Sequence, residues 1–296
     1  MIIQLIYLGV SYIMLKVLPT IYQYTYSKCR NHQVWEGLRK KYVVINGATG
    51  KIGRGLAKKF AEKGMKVLLV GRSESRLIRL HAAIERMTEC HMHIVDYKRS
   101  NNLSFIDRYD VGILINCAST MEDSPAYFVE QSIEEIMNVN LVGVMSLTRY
   151  VLVNMMDCGY GYVINIGSLM GEASTPLYSA FGCSKQALKA LSDSLYYELE
   201  GYNVNVEYMG VGDMSSEGCG EKPSLLRPSS DTLAESILST FGSAKMSIPY
   251  LPHFLMYLLI LCVPSPLLSR IVFHRNKQRM FEMRSRESSF EDQKAK

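Results

Sequence analysis

Asn46-Gly-Ala-Thr-Gly-Lys-Ile-Gly53 follows the apolar run Tyr42-Val-Val-Ile-Asn46 and precedes a helical pattern from Arg54 to Glu62. A strand that ends in closely spaced glycines and turns at once into a helix is built to approach a phosphate. Gly47, Gly50 and Gly53 let the backbone turn tightly, and the free N–H groups of the helix start face an anion. Thr49, Lys51 and Ile52 complete that loop as candidate cofactor contacts. Outward from it, short apolar runs alternate with helical segments. Strands are expected at Lys66–Val70, His93–Val95, Val111–Asn116, Gly161–Ile166 and Val204–Tyr208. Helices are expected at Glu74–Met87, Ile133–Met156, Ser179–Glu200 and Asp231–Phe241. Strict β/α alternation with β-branched runs implies an α/β fold. The sheet would be parallel and doubly wound, of Rossmann type, in three α/β/α layers, with its site at the carboxyl ends of the strands.

The residues at those strand ends carry the next inference. Val70-Gly-Arg72 closes the second strand. A carboxylate there would bind a free ribose 2′-hydroxyl; Arg72 instead offers charge to a 2′-phosphate, with Lys51 and Arg54 on the nearby loop, so NADP is favoured over NAD. Asp96 closes the third strand, where an adenine would lie. Asn116 closes the fourth, beside the expected cofactor.

The composition bounds the rest. The chain has 296 residues, of which 48% are hydrophobic and 21% charged, enough for one large buried core. The net charge of +5 is spread along the chain, which argues against a nucleic-acid partner. Seven cysteines without C-x-x-C spacing suit a reducing compartment, and His91-x-His93 lacks a third ligand, so no metal site is expected. Residues 1–27 are apolar but interrupted by Lys16 and Pro19. They read as a membrane anchor or as an amphipathic helix lying on the bilayer. A basic linker, 28–41, follows and places the main domain on the cytosolic side. The dinucleotide domain is assigned to 42–245. A hydrophobic extension with a charged tail occupies 246–296. Within it, Ile248–Leu268 is broken by four prolines and reads as buried or interfacial, and Arg275–Lys296 reads as frayed. Met214–Ser230 reads as a mobile loop.

With the loop Asn46–Gly53, Asn116-Cys-Ala-Ser119, Asn138-Val-Asn140, Ile166-Gly-Ser168 and Phe181-Gly-Cys-Ser-Lys185, the sequence resembles the short-chain dehydrogenase/reductase family. Its amino-terminal anchor and Ser247-Ile-Pro-Tyr-Leu-Pro-His253 resemble the branch of microsomal 17β-hydroxysteroid dehydrogenases and very-long-chain 3-oxoacyl-CoA reductases. The resemblance implies a small hydrophobic substrate, a steroid or a fatty-acyl-CoA, an endoplasmic reticulum membrane location, and pairing of two copies through the two long helices. It also implies site roles. Asn140 would hold a relay water, Ser168 would bond the substrate carbonyl, and Lys185 would bind the nicotinamide ribose and lower the pKa of a catalytic tyrosine. That tyrosine belongs four residues before Lys185 and 13 after Ser168, at position 181, which is Phe. Phe has the ring and no donor. Tyr178 is a possible substitute if the helix already runs through it. Two functions stay open: an NADP(H)-dependent oxidoreductase impaired at proton transfer, or a non-catalytic cofactor-binding or scaffold protein. The loop also departs from the family pattern, because Gly50 stands one position early and Lys51 follows it.

Overall fold

The computed structural model describes residues 2–29, 38, 40–98, 102–215, 222–242 and 244–294. The basic linker therefore falls mostly outside the described residues, as does the middle of the segment read as a mobile loop. Five of the strands form because β-branched and aliphatic runs are largely buried on both faces, β1 (Tyr42–Asn46), β2 (Lys66–Gly71), β4 (Val111–Asn116), β5 (Gly161–Ile166) and β6 (Val204–Met209), while β3 (Cys90–Ile94) is only partly buried. A two-residue β7 (Met246–Ser247) adds an edge that the sequence did not announce. All seven pair in parallel in the order β3-β2-β1-β4-β5-β6-β7, the doubly wound arrangement.

Helices cover both faces. On one face α2 (Lys51–Glu62) and α6 (Ser230–Thr240) bury Leu56, Phe60, Leu233 and Ile237 against β1 and its neighbours. On this side too lies α3 (Glu74–Ile84), held by Leu77 and Ile84. The other face takes α4 (Ile133–Cys158), whose Leu147, Val151 and Met155 pack on Val44, Leu114 and Val163, and α5 (Ser179–Glu198). Five residues of α4, Asn138–Val142, form a π-helical turn.

A row of buried amides crosses the sheet above this core. Asn46 donates to Asn116 (3.1 Å), Asn116 donates to Asn165 (2.9 Å), and Asn165 donates to Ser192 on α5 (2.9 Å). Asn46 pairs with Asn116, and Asn116 with Asn165, in strand register, so the three side chains meet on one face.

At the amino terminus, α1 (Ile2–Cys29) is a 28-residue helix containing Pro19. It joins the body through Tyr24, stacked on Phe254 at 4.0 Å, and Gln23, which donates to the Met246 carbonyl. Among the described residues, one helix is long and apolar enough to cross a membrane by composition, and it is α4, part of the core.

Three expectations are corrected. The third strand is Cys90–Ile94 rather than His93–Val95, and α2 begins at Lys51, not Arg54. The extension read as buried or interfacial is helical on both sides of Pro264. Pro252 stands in the first turn of α7 (Leu251–Cys262) and Pro264 in the link to α8, where the missing N–H costs nothing. The charged tail is not frayed from Arg275: α8 runs from Ser265 to Lys294. It buries Met280, donates from Asn276 to the Pro176 carbonyl (2.9 Å) and pairs Arg284 with Glu130 (2.8 Å).

Candidate active site

The turn after β1 is shaped by two glycines. Gly47 has φ +83°, and a Cβ there would meet the Ala118 nitrogen at 2.4 Å, so the first loop can touch the loop after β4 only without a side chain. A Cβ on Gly53 would stand 2.3 Å from the Gly47 carbonyl, so the start of α2 lies directly on the turn. Gly50 caps α2 without a side-chain bond, leaving the amides of the first helical turn free of any side-chain cap. A cradle of this kind fits a pyrophosphate.

The cleft beside it is lined by Gly47, Thr49, Gly50, Arg72 and Asp96, as expected, and by residues the sequence reading passed over: Tyr97, Cys117, Thr120, Val139 and Arg76. Tyr97 and Cys117 each lie one residue past an identified strand end, which is where the missed signal was. Lys51 lines an adjoining cavity, Ile52 packs partly into the core and Gly53 is buried. Asn116 is a correction. Expected beside the cofactor, it is sealed inside the sheet, with both amide hydrogens on Thr148 and Asn165 and its oxygen on Asn46.

Arg72 faces the cleft but also Glu135, at 3.3 Å, and Lys98 holds the other oxygen of that carboxylate at 2.7 Å. The hydrogen bond from Lys98, aided by Arg72, keeps the Glu135 carboxyl below its ordinary range. Asp96 accepts from the Lys98 amide (3.1 Å) at the rim.

Asn140 sits in the π-helical turn of α4 and is fully buried. Its side chain accepts from the Thr120 N–H (2.7 Å) and donates to the Thr120 carbonyl (2.9 Å) and to Ser184 (3.0 Å). It thereby ties the loop after β4 to α5. Ser168, at the end of β5, caps a short 3-10 turn by accepting from the Met170 amide (3.1 Å), so its hydroxyl hydrogen stays free to donate elsewhere. Its own amide donates to the Tyr208 hydroxyl (3.3 Å).

Lys185 and Phe181 are one turn apart on α5, as their spacing requires. Lys185 is 3% exposed, donates to the Ile166 carbonyl (3.2 Å), and holds its ammonium 5.7 Å from the centre of the Phe181 ring. Burial pulls its pKa down to about 8. Phe181 is itself buried, among Ile136, Tyr178, Ala180 and Met170. A phenol at this position would add the hydroxyl that the Phe181 ring lacks.

Tyr178 is not placed as the substitute role assumed, on a helix already running through it. Leu177 has φ +70°, and Tyr178 itself is the non-helical residue before α5. It is therefore not two regular turns from Lys185. It packs in the Phe181 cluster, and burial pushes its phenol up.

Comparison with known proteins agrees with this geometry. A model of the short chain dehydrogenase family matches residues 41–224. The very-long-chain 3-oxoacyl-CoA reductase of Homo sapiens is 28% identical, over 80% of this chain and 80% of its own length. That of Anas platyrhynchos is 26% identical, over 80% of each. Among solved structures, a short-chain dehydrogenase from Sphingobium yanoikuyae in complex with NADPH is 26% identical. It superposes with a TM-score of 0.63, over 70% of this chain and 87% of that one. A 7beta-hydroxysteroid dehydrogenase structure superposes at 0.72, with 19% identity over 81% of this chain and 99% of that one, which bears on the fold alone.

Proposed function

The chain belongs to the short chain dehydrogenase family, and from that premise we propose that it is an NADP(H)-binding oxidoreductase for a hydrophobic carbonyl substrate, slowed by the loss of its proton donor. The observation that carries the reading is the pair formed by Lys185 and Phe181: the buried lysine is in place, and the ring beside it has no hydroxyl. Arg72 at the cleft and the NADPH-bound neighbour support the phosphorylated cofactor. The reductases among its relatives support an acyl-CoA substrate, with a steroid as the alternative.

NADPH, when bound, supplies a hydride and no proton. Gly47, Thr49 and Gly50 with the start of α2 would hold its pyrophosphate, and Arg72 its 2′-phosphate. Ser168 would donate its free hydroxyl hydrogen to the substrate carbonyl and polarise it. Lys185 would place a positive charge beneath the developing oxyanion. Phe181 has no proton to give, and Tyr178 stands before the first regular turn of α5. General acid catalysis is worth about 10² to 10⁴ in rate, and that is the deficit proposed.

The localisation is proposed as the endoplasmic reticulum membrane with the domain on the cytosolic side. The support is α1, with Leu15, Leu18 and Tyr22 exposed. Pairing of two copies through α4 and α5 is proposed from the exposed Val142, Met145 and Val153 along α4.

The experiment is NADPH oxidation by the purified full-length protein with 3-oxoacyl-CoA and ketosteroid substrates, wild type against Phe181→Tyr and Tyr178→Phe. Phe181→Tyr should raise kcat by about 10² to 10⁴ with KM little changed, and Tyr178→Phe should leave the wild-type rate alone. Silence of both wild type and Phe181→Tyr, with NADPH bound, would favour a non-catalytic binding or scaffold role.

A further inference from the structure

Ser168 stands where the ladder between β5 and β6 leaves a gap. On either side of it, Gly167 donates its amide to the Met209 carbonyl (2.8 Å) and Leu169 donates to the Val211 carbonyl (2.9 Å). Successive amides along a strand point in opposite directions, so the Ser168 N–H points away from β6. Among the described residues no strand meets it there, since β4 is last paired at Asn116, level with Asn165. The Tyr208 hydroxyl takes the place of the missing strand. It accepts from the Ser168 N–H at 3.3 Å and donates to the Ser168 carbonyl at 3.5 Å. The phenol reaches this backbone because residue 167 is glycine: a Cβ there would stand 2.0 Å from the Tyr208 ring.

Tyr208 is fully buried, and beside it lies an ion pair that the reaction does not use. Glu172 closes the short 3-10 turn that Ser168 opens, with its side chain 4% exposed and one oxygen on Lys189 of α5. The other oxygen, Oε1, is buried and has no hydrogen-bond partner among the described residues. A buried carboxylate satisfied on one side only is costly to keep. Its charge bears on two phenols, Tyr208 of β6 and Tyr257 of α7. Burial first, and this charge second, push both phenols up, Tyr257 to about 12. Tyr208 therefore keeps its hydrogen and can accept and donate at once.

We propose that Tyr208, braced by Glu172, is a positioning residue for Ser168. The Met170 amide fixes the serine Oγ and the Tyr208 hydroxyl fixes the serine backbone, so the free hydroxyl hydrogen is aimed from two sides. That aim matters because a carbonyl is polarised only by a donor already in line with it, and a misplacement of about 1 Å can cost about a hundredfold in rate. The role rests on the reading of Ser168 as the group that bonds the substrate carbonyl.

The test is infrared spectroscopy of the full-length protein with NADP⁺ and a 3-oxoacyl-CoA isotope-labelled at its keto carbon. The oxidised cofactor has no hydride to give, so the complex persists whether or not the protein turns over. The carbonyl stretch of the bound ketone then reads the polarisation that Ser168 supplies. The wild type should lower the stretch, and Ser168→Ala should remove that lowering. Tyr208→Phe keeps the ring on Gly167 and should lose most of the lowering, with NADP⁺ affinity unchanged. Glu172→Gln keeps the shape without the charge and should lose part of it. Tyr257→Phe alters the same buried cluster without a bond to Ser168 and should read as wild type. A wild-type stretch in Tyr208→Phe while Ser168→Ala moves it, or equal losses in Tyr208→Phe and Tyr257→Phe, would overturn the proposal and leave the oxidoreductase reading standing. A ketone that does not bind, or a stretch that Ser168→Ala does not move, would overturn the role given to Ser168 and the proposal with it.

Discussion

Replacing Lys185 by Met tests whether a charge is held inside the protein for function at the expense of stability. Met keeps the unbranched stem and removes the ammonium. Burial lowers the lysine pKa from 10.5 to about 8. At about 1.36 kcal/mol per pH unit, the charged form is penalised by about 3 kcal/mol in the folded state at neutral pH. The substitution also strands the Ile166 carbonyl, which now accepts from Lys185 at 3.2 Å. That loss costs about 1 kcal/mol, so Lys185→Met should be the more stable protein at pH 7 by about 2 kcal/mol. The pH dependence has a definite sign. Between about pH 8 and 10.5 the unfolded lysine still binds its proton and the folded one does not, so wild-type stability rises with pH across that window. The variant has no such rise, and the two curves should meet near pH 10. Urea unfolding of the full-length protein in mild detergent, read at steps from pH 7 to 10.5, measures both. A variant less stable than wild type at pH 7, or a wild type whose stability is flat from pH 8 to 10, would refute the reasoning.

Other consequences can be checked as directly. Burial holds the Glu207 carboxyl up at about 8 although it accepts from Ser247 and the Gly242 amide, so the folded state keeps a proton that the unfolded chain releases above about 4.5. Wild-type Tm should fall as pH rises from about 4.5 to 8, and Glu207→Gln should abolish that slope; an unchanged slope would show that another group is responsible. Asn140→Ala leaves the Thr120 N–H and carbonyl without their partner and opens a small void. The urea midpoint should fall by the equivalent of about 3 kcal/mol, and a loss under about 1 would mean those bonds are not made in solution. Arg72→Glu should weaken NADPH by about tenfold or more and leave NADH near its wild-type affinity, by calorimetry; equal losses for both would remove Arg72 from 2′-phosphate recognition.

What was legible in the sequence was whatever is written locally. The glycine turn, the strand ends and the four-residue step from 181 to 185 depend on neighbours in the chain, and they stand where periodicity puts them. β3 starts earlier than its periodicity suggests because it is only partly buried, and His91 and His93 interrupt its apolar pattern. β7 is two residues long and has no pattern to read. The charged composition of the tail predicts fraying, yet its order comes from contacts with Glu130 and Pro176, 154 and 100 positions away. Arg72 was legible as a cation and its restraint was not, since Glu135 arrives from 63 positions on. Asn116 shows the same limit. Its place at a strand end was correct, but only the fold shows that its amide bonds inward to three neighbours.

The amide row from Asn46 through Asn116 and Asn165 to Ser192 has a consequence for how the chain reaches this fold. The aliphatic residues of β1, β4 and β5 are nearly interchangeable, so greasy contacts alone would accept a slipped alignment during assembly. A slip of one residue would turn an asparagine toward the opposite helical layer and leave its amide dry and unbonded, at a cost of about 1 to 3 kcal/mol for each group stranded. The row thus acts as a proofreading key for the centre of the sheet. Misaligned pairings are penalised as soon as the helices close over them and exclude water, and in the native register the strand ends that carry the glycine turn and Ser168 stand level with one another.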